Sequence, residues 1–377
     1  MTPVDTPAVV STGFRPTVAE IDLDAVRHNV RTVKPADAEL MAVVKANGYG
    51  HRAIPIARAA LQGGATWLGV ALVEEGLALR ESGIDAPILV LTELPPGSER
   101  EAVEAGLTPT LYSERALREL AAAAPAEGVG VHVKVDTGMH RVGIPPQEAP
   151  ELASDVLAAG LRIDGVWTHF ARAEEPGNPT TARQLELFLE VCAALEARGI
   201  RPRYRHAANS GATMAAPETH LDLVRVGAAM YGIAPGPDLA GVLNLRPAMT
   251  LRSAVTHSKR VPSGHGISYG HRFRTERETT IATVPIGYAD GYLRSLSNAG
   301  HVLIRGTRYP VVGSVTMDHL MVDCGDEPVE VGDDVVLFGR QGQSEIRVEE
   351  VAAWAGTIGW EIVCAVSERV PRRVTVD

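Results

Sequence analysis

The sequence predicts a (β/α)8 barrel of the TIM type followed by a mainly antiparallel β domain. A chain of 377 residues, 45% of them hydrophobic, is long enough for a barrel-sized domain and a smaller one. From residue 40 onwards, short apolar runs alternate with longer amphipathic stretches, as in repeated βα units. After about residue 245, β-branched runs separated by Gly and Pro replace them. We expect the barrel over residues 14–245 and the β domain over 246–377, with the extended stretch at 15–23 as a candidate strand of the β domain.

Eight apolar runs are the expected barrel strands, and eight parallel strands favour a closed barrel over an open sheet. They are LMAVVK (40–45), WLGVAL (67–72), PILVLTE (87–93), TPTLYS (108–113), VHVKVDT (131–137), IDGVWTHF (163–170), YRHAANS (204–210) and DLVRVGAAMYG (222–232). The stretch TARQLELFLEVCAALEARG repeats its apolar residues every three or four positions, which predicts a helix that stops at Gly199. Another helix, DLDAVRHNVRTVK, is expected before the first barrel strand with Asp22 or Asp24 as its N-cap.

The composition excludes several classes of protein. A net charge of −10 argues against a general nucleic-acid binder, and no run approaches the roughly 20 apolar residues of a membrane span. The opening MTPVDTPAVVSTGFRP lacks the pattern of a signal peptide, so a cytoplasmic location is expected. Cys192, Cys324 and Cys364 lie in apolar runs without metal-binding spacing, which predicts buried thiols and no metal site.

Polar side chains gather where the predicted strands end, which is where barrel enzymes place their active sites. They are Lys45, Asn47 and Tyr49 after the first strand, Lys134, Asp136 and Arg141 at the fifth, His169 at the sixth, Asn209 and Ser210 at the seventh, and Arg225, which Gly227 follows two residues later, at the eighth. A cationic mouth with few carboxylates suits an anionic ligand and offers no cage for a hard metal ion.

The first of these residues, Lys45, ends a buried run and is followed at once by Asn-Gly-Tyr-Gly. A lysine among cations in a partly dry site has a lowered pKa and can form a Schiff base with a carbonyl. The alternative is a solvated lysine at a strand end. The loops after strands seven and eight hold Ser210, Gly211, Gly227 and Ala228, small residues that let backbone N–H groups approach a phosphate. Pyridoxal phosphate supplies both the aldehyde and the phosphate, and it is the predicted cofactor.

Two further cations, Arg225 and Lys134, lie inside apolar strands. An unpaired buried cation is costly, so both are candidates for a functional role. For His169 alone, the sequence favours a structural histidine whose ring nitrogens are hydrogen-bonded by neighbouring groups over a catalytic histidine.

A series of motifs now extends over nearly the whole chain. The barrel contains AVVKANGYGH, VHVKVDTGMHRVG, THFA, HAANSGA and LVRVGAAMYG, and the β domain contains GISYGHRF, IGYADGY and TMDH. Through these motifs, in this order, the sequence resembles the bacterial alanine racemases, which are fold-type III pyridoxal-phosphate enzymes.

The resemblance implies a role for each matched residue. It implies that Lys45 carries the cofactor and acts as one Cα base, that Tyr269 is the other base, and that Arg225 faces the pyridine nitrogen. Lys134 matches a lysine that is often carbamylated. The implied cofactor-binding set is Lys45, Tyr49, Arg141, His169, Asn209, Ser210, Arg225, Gly227, Ala228 and Trp360, and the implied substrate-binding set is Arg141, Tyr288 and Met317.

The implied activity is the interconversion of L-alanine and D-alanine, which supplies D-alanine for peptidoglycan. The resemblance also implies a homodimer in which Tyr269, Tyr288 and Met317 of one subunit complete the active site of the other. Neither a nucleic acid nor a membrane is an expected partner.

Three residues depart from the family's usual pattern. Trp360 stands where a tyrosine is usual, and Ser314 and Thr316 stand where many relatives have arginine and cysteine. These departures keep open a racemase of broader or shifted specificity, in specialised metabolism or antibiotic tolerance. A fold-type III decarboxylase is disfavoured by Arg225, since those enzymes place a glutamate at the ring nitrogen. A non-catalytic pyridoxal-phosphate carrier resembles the barrel alone, so the β domain with Tyr269 disfavours it.

Overall fold

The computed structural model describes residues 14–126 and 128–375. They form two compact units, which are Asp22–Ala248 and a second unit in which residues 14–21 join Met249–Thr375. The opening segment, on which the prediction of no signal peptide rests, lies largely outside the described residues. The first strand, β1 (Val18–Asp22), belongs to the main sheet of the second unit.

All eight predicted barrel runs contain parallel strands of the first unit. They are β2 (Glu39–Val43), β3 (Trp67–Val70), β4 (Ile88–Val90), β5 (Thr110–Leu111), β6 (Gly130–Lys134), β7 (Arg162–Trp167), β8 (Tyr204–His206) and β9 (Leu223–Val226). Two four-stranded sheets, in the orders β4-β3-β2-β9 and β5-β6-β7-β8, make up the barrel. A parallel bridge between Leu89 and Thr108 joins one pair of edges, and the hydrogen bond from Arg225 N to Ala208 O joins the other. The predicted (β/α)8 barrel is therefore confirmed.

Helical segments alternate with these strands. They are α1 (Leu23–Val33), α2 (Lys45–Tyr49), α3 (Ala53–Gly63), α4 (Val73–Glu81), α5 (Glu99–Glu104), α6 (Glu114–Ala123), α7 (Ala149–Ala158), α8 (Pro179–Ala197) and α9 (Ser210–Ala215). Asp22 is the N-cap of α1, since its Oδ1 accepts a hydrogen bond from Ala25 N at 2.8 Å. Helix α8 ends just before Gly199, whose φ of 76° no longer fits a right-handed helix. Among the described residues, no helix combines the length and the apolarity that a membrane crossing requires.

The second unit is built from antiparallel strands, as predicted. They are β1 with β10 (Met249–Ala254), β11 (His257–Val261), β12 (Gly266–Ile267), β13 (Phe273–Arg274), β14 (Thr279–Val284), β15 (His301–Ile304), β16 (Thr307–Pro310), β17 (Leu320–Asp323), β18 (Asp334–Gln341), β19 (Ser344–Ile346) and β20 (Arg372–Thr375). The main sheet has the order β16-β15-β18-β10-β1-β20, and β11-β14-β17 form a smaller one. Strand β1 pairs antiparallel with β10, so the N-terminal stretch joins the later domain.

The structure differs from the sequence-based expectation in two places. Helices α10 (Val348–Ala355) and α11 (Gly359–Ala365) lie between β19 and β20 of the mainly β second unit, in a stretch for which no helix was predicted. The prediction that all three cysteines are buried is wrong: Cys324 is buried, Cys192 is half-buried and Cys364 is exposed. Cys364 follows two buried residues of α11, and the turn of the helix carries the next side chain to the outer face.

Candidate active site

The structure brings the predicted cations together at the carboxyl ends of the barrel strands. Lys45 follows β2, Lys134 ends β6 and Arg225 lies in β9. Burial first, and then the positive charges on Arg141, Arg225 and Lys45, lower the pKa of Lys134, whereas the Asp136 carboxylate raises it. The mouth therefore carries a surplus of positive charge, which suits an anionic ligand.

The segment after Lys45 winds in the left-handed sense. Ala46, Asn47 and Gly48 have φ values of 52°, 51° and 62°, and Tyr49 continues at 51°. A left-handed conformation costs an L-residue about 1–2 kcal/mol, and glycine and asparagine tolerate it best. The Asn47 side chain also accepts a hydrogen bond at 3.0 Å from the first N–H of α3. The Asn-Gly pair after Lys45 is thus explained by the backbone that it has to adopt.

A carboxylate that the sequence did not single out, Glu75 of α4, fixes this turn. Its Oε1 accepts a hydrogen bond from Ala46 N at 2.6 Å. Its Oε2 accepts from Ala71 N at 2.8 Å and from Leu72 N at 3.2 Å. The Glu75 side chain therefore ties the loop that carries Lys45 to the loop after the next barrel strand.

Tyr49, Ser210 and Gly227 form a small polar recess, which we call the Gly227 cradle. Ser210 Oγ accepts a hydrogen bond from Gly227 N at 2.9 Å. A Cβ atom on residue 227 would lie 2.6 Å from Tyr49 Oη, so only glycine leaves room for the tyrosine hydroxyl. The Tyr49 ring stacks on Tyr231 with the ring centroids 4.8 Å apart, which fixes the position of the hydroxyl. The Tyr49 hydroxyl thus lies against Gly227 in a space that a methyl group would fill, and the Ser210 hydroxyl is held beside it by the Gly227 N–H.

Asn209 and Ala228 lie beside the Gly227 cradle. Asn209 is the N-cap of α9, and its Oδ1 accepts a hydrogen bond from Ala212 N at 3.1 Å. Ala228 is buried and opens the 3-10 turn Ala228–Tyr231. The contacts of Asn209 position Ser210, the first residue of α9.

Arg225 is buried and held by groups from the neighbouring strands. Its Nη2 donates to Thr168 O at 2.7 Å and to Ala207 O at 2.9 Å. Its Nη1 donates to His206 Nδ1 at 3.0 Å, and its guanidinium carbon lies 4.7 Å from the centroid of the Trp167 ring. Burial lowers the pKa of Arg225 to about 9, which leaves the guanidinium charged at neutral pH.

Three histidines extend this network, and the guanidinium fixes their tautomers. Because a guanidinium can only donate hydrogen bonds, Nδ1 of His206 and Nδ1 of His169 (3.2 Å) both accept from Arg225. His206 therefore carries its proton on Nε2, which donates to His132 Nδ1 at 2.9 Å. Burial first, and the Arg225 charge second, lower the pKa of all three rings, to about 3 for His132. All three are neutral at pH 7.

Lys134 is 4% exposed and has a strongly perturbed amine. Its Nζ lies 4.5 Å from the centroid of the Trp167 ring. Burial, followed by the charges of Arg141 and Arg225, lowers its pKa from 10.5 to about 7. An appreciable fraction of this amine is therefore unprotonated at neutral pH.

Arg141 follows β6 in a loop that Asp136 shapes. Asp136 Oδ1 accepts hydrogen bonds at 3.0 Å from three consecutive N–H groups, those of residues 138–140. Arg141 is exposed, and its charge lowers the pKa of both Lys134 and His169. The three side chains are therefore electrostatic neighbours.

The remaining predicted catalytic and substrate residues lie in the second unit. Tyr269, Tyr288 and Met317 have exposed fractions of 76%, 42% and 52%. They line one cavity of about 1060 Å³ within that unit, to which Arg294 also contributes. Hydrogen bonds hold the Tyr288 turn to the Met317 loop, including Ala289 N to Met317 O at 3.1 Å.

The three departures from the expected pattern also lie in the second unit. Trp360 is half-buried in α11. Ser314 is buried and its Oγ donates to Tyr269 O at 2.9 Å. Thr316 Oγ1 donates to His319 O at 2.9 Å and accepts from His319 N at 3.0 Å, which closes the turn that contains Met317.

The fold is a parallel (β/α)8 barrel joined in one chain to an antiparallel β domain. The barrel mouth holds Lys45, the buried Arg225 and the Gly227 cradle, and such mouths are where barrel enzymes have their active sites. Profiles of the alanine racemase N-terminal and C-terminal domains match residues 21–235 and 248–374. The alanine racemase of Symbiobacterium thermophilum is 51% identical over 96% of this chain and 97% of its own length. The chain belongs to the alanine racemase family and is an amino-acid racemase of the isomerase class.

Solved structures agree with this assignment. The crystal structure of alanine racemase from D-cycloserine-producing Streptomyces lavendulae matches with a TM-score of 0.92 at 44% identity, covering 96% of this chain and 97% of that one. The alanine racemase of Bacillus anthracis with bound L-Ala-P matches with a TM-score of 0.89 at 41% identity, covering 96% and 95%.

Sequence reasoning missed several residues that organise the mouth. Besides Glu75, they are His206, Trp167 and Tyr231, which contact Arg225, Lys134 and Tyr49. His206 and Trp167 lie in adjacent strands at paired positions. A polar or aromatic residue near the carboxyl end of each strand was the available signal, since paired residues of adjacent parallel strands point to the same side.

Proposed function

We propose that this protein interconverts L-alanine and D-alanine with pyridoxal phosphate as cofactor and with Lys45 and Tyr269 as the two Cα bases. The observation that carries the proposal is the Gly227 cradle, which lies in the same barrel mouth as Lys45 and the buried Arg225. A dianionic phosphate matches the positive charge of that mouth.

The residues of the mouth fit this cofactor. The space at Gly227 that a Cβ would fill is bordered by the Tyr49 and Ser210 hydroxyls, which can donate to phosphate oxygens. We propose that Lys45 holds the cofactor covalently and that Arg225 faces its ring nitrogen. The full proposed set is Lys45, Tyr49, Arg141, His169, Asn209, Ser210, Arg225, Gly227, Ala228 and Trp360.

The two bases account for the stereochemistry. When bound, pyridoxal phosphate delocalises the electron pair that remains after the Cα proton of the substrate leaves. One base removes that proton and the other returns a proton to the opposite face, so that L- and D-alanine interconvert. Lys45 Nζ and Tyr269 Oη take these roles in turn, and Arg141, Tyr288 and Met317 hold the substrate.

Arg225 supports the return of the proton to Cα. Its guanidinium is a permanent donor, and its histidine neighbours are neutral. A charged arginine beside the ring nitrogen opposes protonation of that nitrogen. By keeping that nitrogen unprotonated in the bound cofactor, Arg225 would favour return of the proton to Cα, and hence racemisation over transamination.

Lys134 is proposed to be carbamylated. Its pKa of about 7 means that the amine can be unprotonated and nucleophilic near neutral pH. The three neighbouring cations would stabilise a negative charge at this position. The nitrogen attacks the carbon of CO2, a C–N bond forms, and the amine proton is released to solvent. The resulting carbamate is an anion beside Arg141, which removes the excess positive charge.

The proposed active form is a homodimer with shared sites. Tyr269, Tyr288 and Met317 are exposed around one cavity of the second unit, as expected of residues that complete the site of a partner. The proposed role is to supply D-alanine for peptidoglycan in the cytoplasm.

The experiment that tests the function is incubation of the pyridoxal-phosphate-loaded protein with L-alanine in D2O. We expect D-alanine with deuterium at Cα, measured by chiral chromatography and proton NMR. Tyr269→Phe should abolish this, whereas the matched control Tyr309→Phe, a half-buried tyrosine of β16, should not. The assignment would be refuted if the alanine stayed L and carried no deuterium although the absorption spectrum showed bound cofactor.

Mixing two inactive variants tests the shared site. In a heterodimer of Lys45→Ala and Tyr269→Phe subunits, one of the two shared sites contains both intact bases. Random mixing at equal amounts makes about half of the dimers mixed, so about a quarter of wild-type activity should return. No recovery, with subunit exchange verified by mass, would place both bases in one subunit.

A further inference from the structure

We propose that Ser314 is a positioning residue that fixes the backbone of Tyr269 through its side-chain hydroxyl. Ser314 Oγ donates to Tyr269 O at 2.9 Å, and Ser268 Oγ donates to Ser314 O at 2.7 Å. These reciprocal bonds, which we call the serine pair, join the segment that carries Tyr269 to the loop before Met317. The inference rests on the proposed function in that it takes Tyr269 as a Cα base.

The turn that carries Tyr269 needs such support because its backbone is strained. Ser268 has φ 60° and ψ −172°, a region that is occupied almost only by glycine. Gly270 and His271 follow with φ values of 72° and 46°. A non-glycine residue remains in this conformation only when its surroundings hold it there. The serine pair supplies hydrogen bonds on both sides of the Ser268–Tyr269 peptide.

Within its own subunit, the Tyr269 side chain has little packing to hold it. It is 76% exposed, whereas Ser314 is 2% exposed. Water therefore competes little for the Ser314 hydroxyl. Within its own subunit, the position of the tyrosine ring depends mainly on its backbone. The close approach requires Gly313, because a Cβ there would lie 2.7 Å from Ile267 O.

A second tie fixes the other end of the turn. Asn298 Nδ2 donates to Arg272 O at 3.2 Å, and Asn298 Oδ1 accepts from Gly313 N at 2.6 Å. Both ends of the turn are thus fastened to residues 313–314. Only the Ser314 contact, among those described above, is a hydrogen bond to the carbonyl oxygen of Tyr269 itself.

A poorly positioned Tyr269 should affect proton transfer from one enantiomer of alanine more than from the other. If Tyr269 serves one face of Cα and Lys45 the other, loosening Tyr269 slows exchange from one enantiomer of alanine only. We expect Ser314→Ala to lower that exchange rate about five- to tenfold, the kinetic equivalent of one neutral hydrogen bond, with KM nearly unchanged. Ser314→Thr keeps the hydroxyl and should restore the rate.

The test uses the full-length, cofactor-loaded protein. Cα exchange in D2O is followed separately from L-alanine and from D-alanine for the wild type, Ser314→Ala and Ser314→Thr. Amide hydrogen exchange of the peptide spanning 266–274, which needs no turnover, is measured by mass spectrometry. The matched control is Ser253→Ala, since Ser253 is also 2% exposed and its hydroxyl bonds to Thr17 at 2.9 Å within the same unit.

The expected result is faster amide exchange at 266–274 and enantiomer-selective slowing in Ser314→Ala, with neither change in the other two variants. Equal slowing from both enantiomers, or unchanged amide exchange, would overturn the proposal. If the wild type itself does not racemise alanine, the proposed function fails, while faster amide exchange in Ser314→Ala alone would still support the serine pair as the element that orders the turn.

Discussion

Replacing Lys134 with methionine should make the stability of the protein less dependent on pH. Methionine keeps an unbranched side chain of similar size against the Trp167 ring but cannot bind a proton. In the wild type, burial and the Arg141 charge lower the pKa of Lys134 from 10.5 to about 7. Protonation of the buried amine therefore destabilises the folded state.

The sign and size follow from proton linkage. Between pH 7 and 10.5, the unfolded chain binds a proton at Lys134 that the folded chain has released, so the unfolding free energy of the wild type rises with pH. The full penalty is present below pH 7 and is gone above 10.5. At 1.36 kcal/mol per pH unit it amounts to about 5 kcal/mol, of which about 3.5 kcal/mol is recovered between pH 7 and 10.

The assay is urea unfolding of the cofactor-free wild type and Lys134→Met at pH 7, 8, 9 and 10, in bicarbonate-free buffer. One protein concentration is used throughout, because dimer stability depends on it. Other titrating groups are common to both proteins and largely cancel in the difference. A difference in unfolding free energy that stays constant across this range would refute the reasoning. In bicarbonate buffer at pH 8, a carbamate at Lys134 should stabilise the wild type alone.

Three further predictions concern the mouth and the first helix. Gly227→Ala places a Cβ against the Tyr49 hydroxyl, which should overpack the cradle at a cost of about 1–3 kcal/mol. Pyridoxal phosphate should then bind at least about tenfold more weakly. Equilibrium dialysis measures the binding, and circular dichroism is the control for folding. Glu75→Gln leaves one acceptor oxygen for three N–H groups. It should lower the unfolding free energy by about 1–3 kcal/mol, and an unchanged urea midpoint would contradict the role of Glu75 in holding the two loops together. Asp22→Ala removes the N-cap hydrogen bond of α1 and should cost about 1 kcal/mol in the same assay, with Asp24→Ala as the control.

Much of the fold follows from local pattern. The barrel strands are short apolar runs because both faces of a parallel strand are buried, and this holds even for β5 (Thr110–Leu111), the shortest of them. The helices α10 and α11 were missed because their apolar runs are brief and follow a series of strands. Cys364 was misplaced because an apolar neighbourhood in the sequence does not say which side of a helix a residue faces.

The site was predicted as a set of residues and not as a geometry. Lys45, Arg225 and Gly227 were found because strand ends converge at one side of a barrel, whatever the details of packing. Glu75 and Trp167 were missed because neither looks unusual within its own segment. Their importance lies in the backbone groups and cations that they contact, which come from other strands and loops.

The sequence by itself determined the barrel, the β domain and the family, and it predicted part of the barrel mouth, because these follow from local periodicity and from the order of the motifs. The tertiary structure decided which atoms meet: the Tyr49 hydroxyl over Gly227, the guanidinium of Arg225 against His206, and the hydroxyl of Ser314 on Tyr269. The members of each pair lie in different elements of the chain, 19 residues apart for Arg225 and His206 and 45 for Ser314 and Tyr269. Such contacts depend on strand register and loop conformation, and the folded chain as a whole sets both.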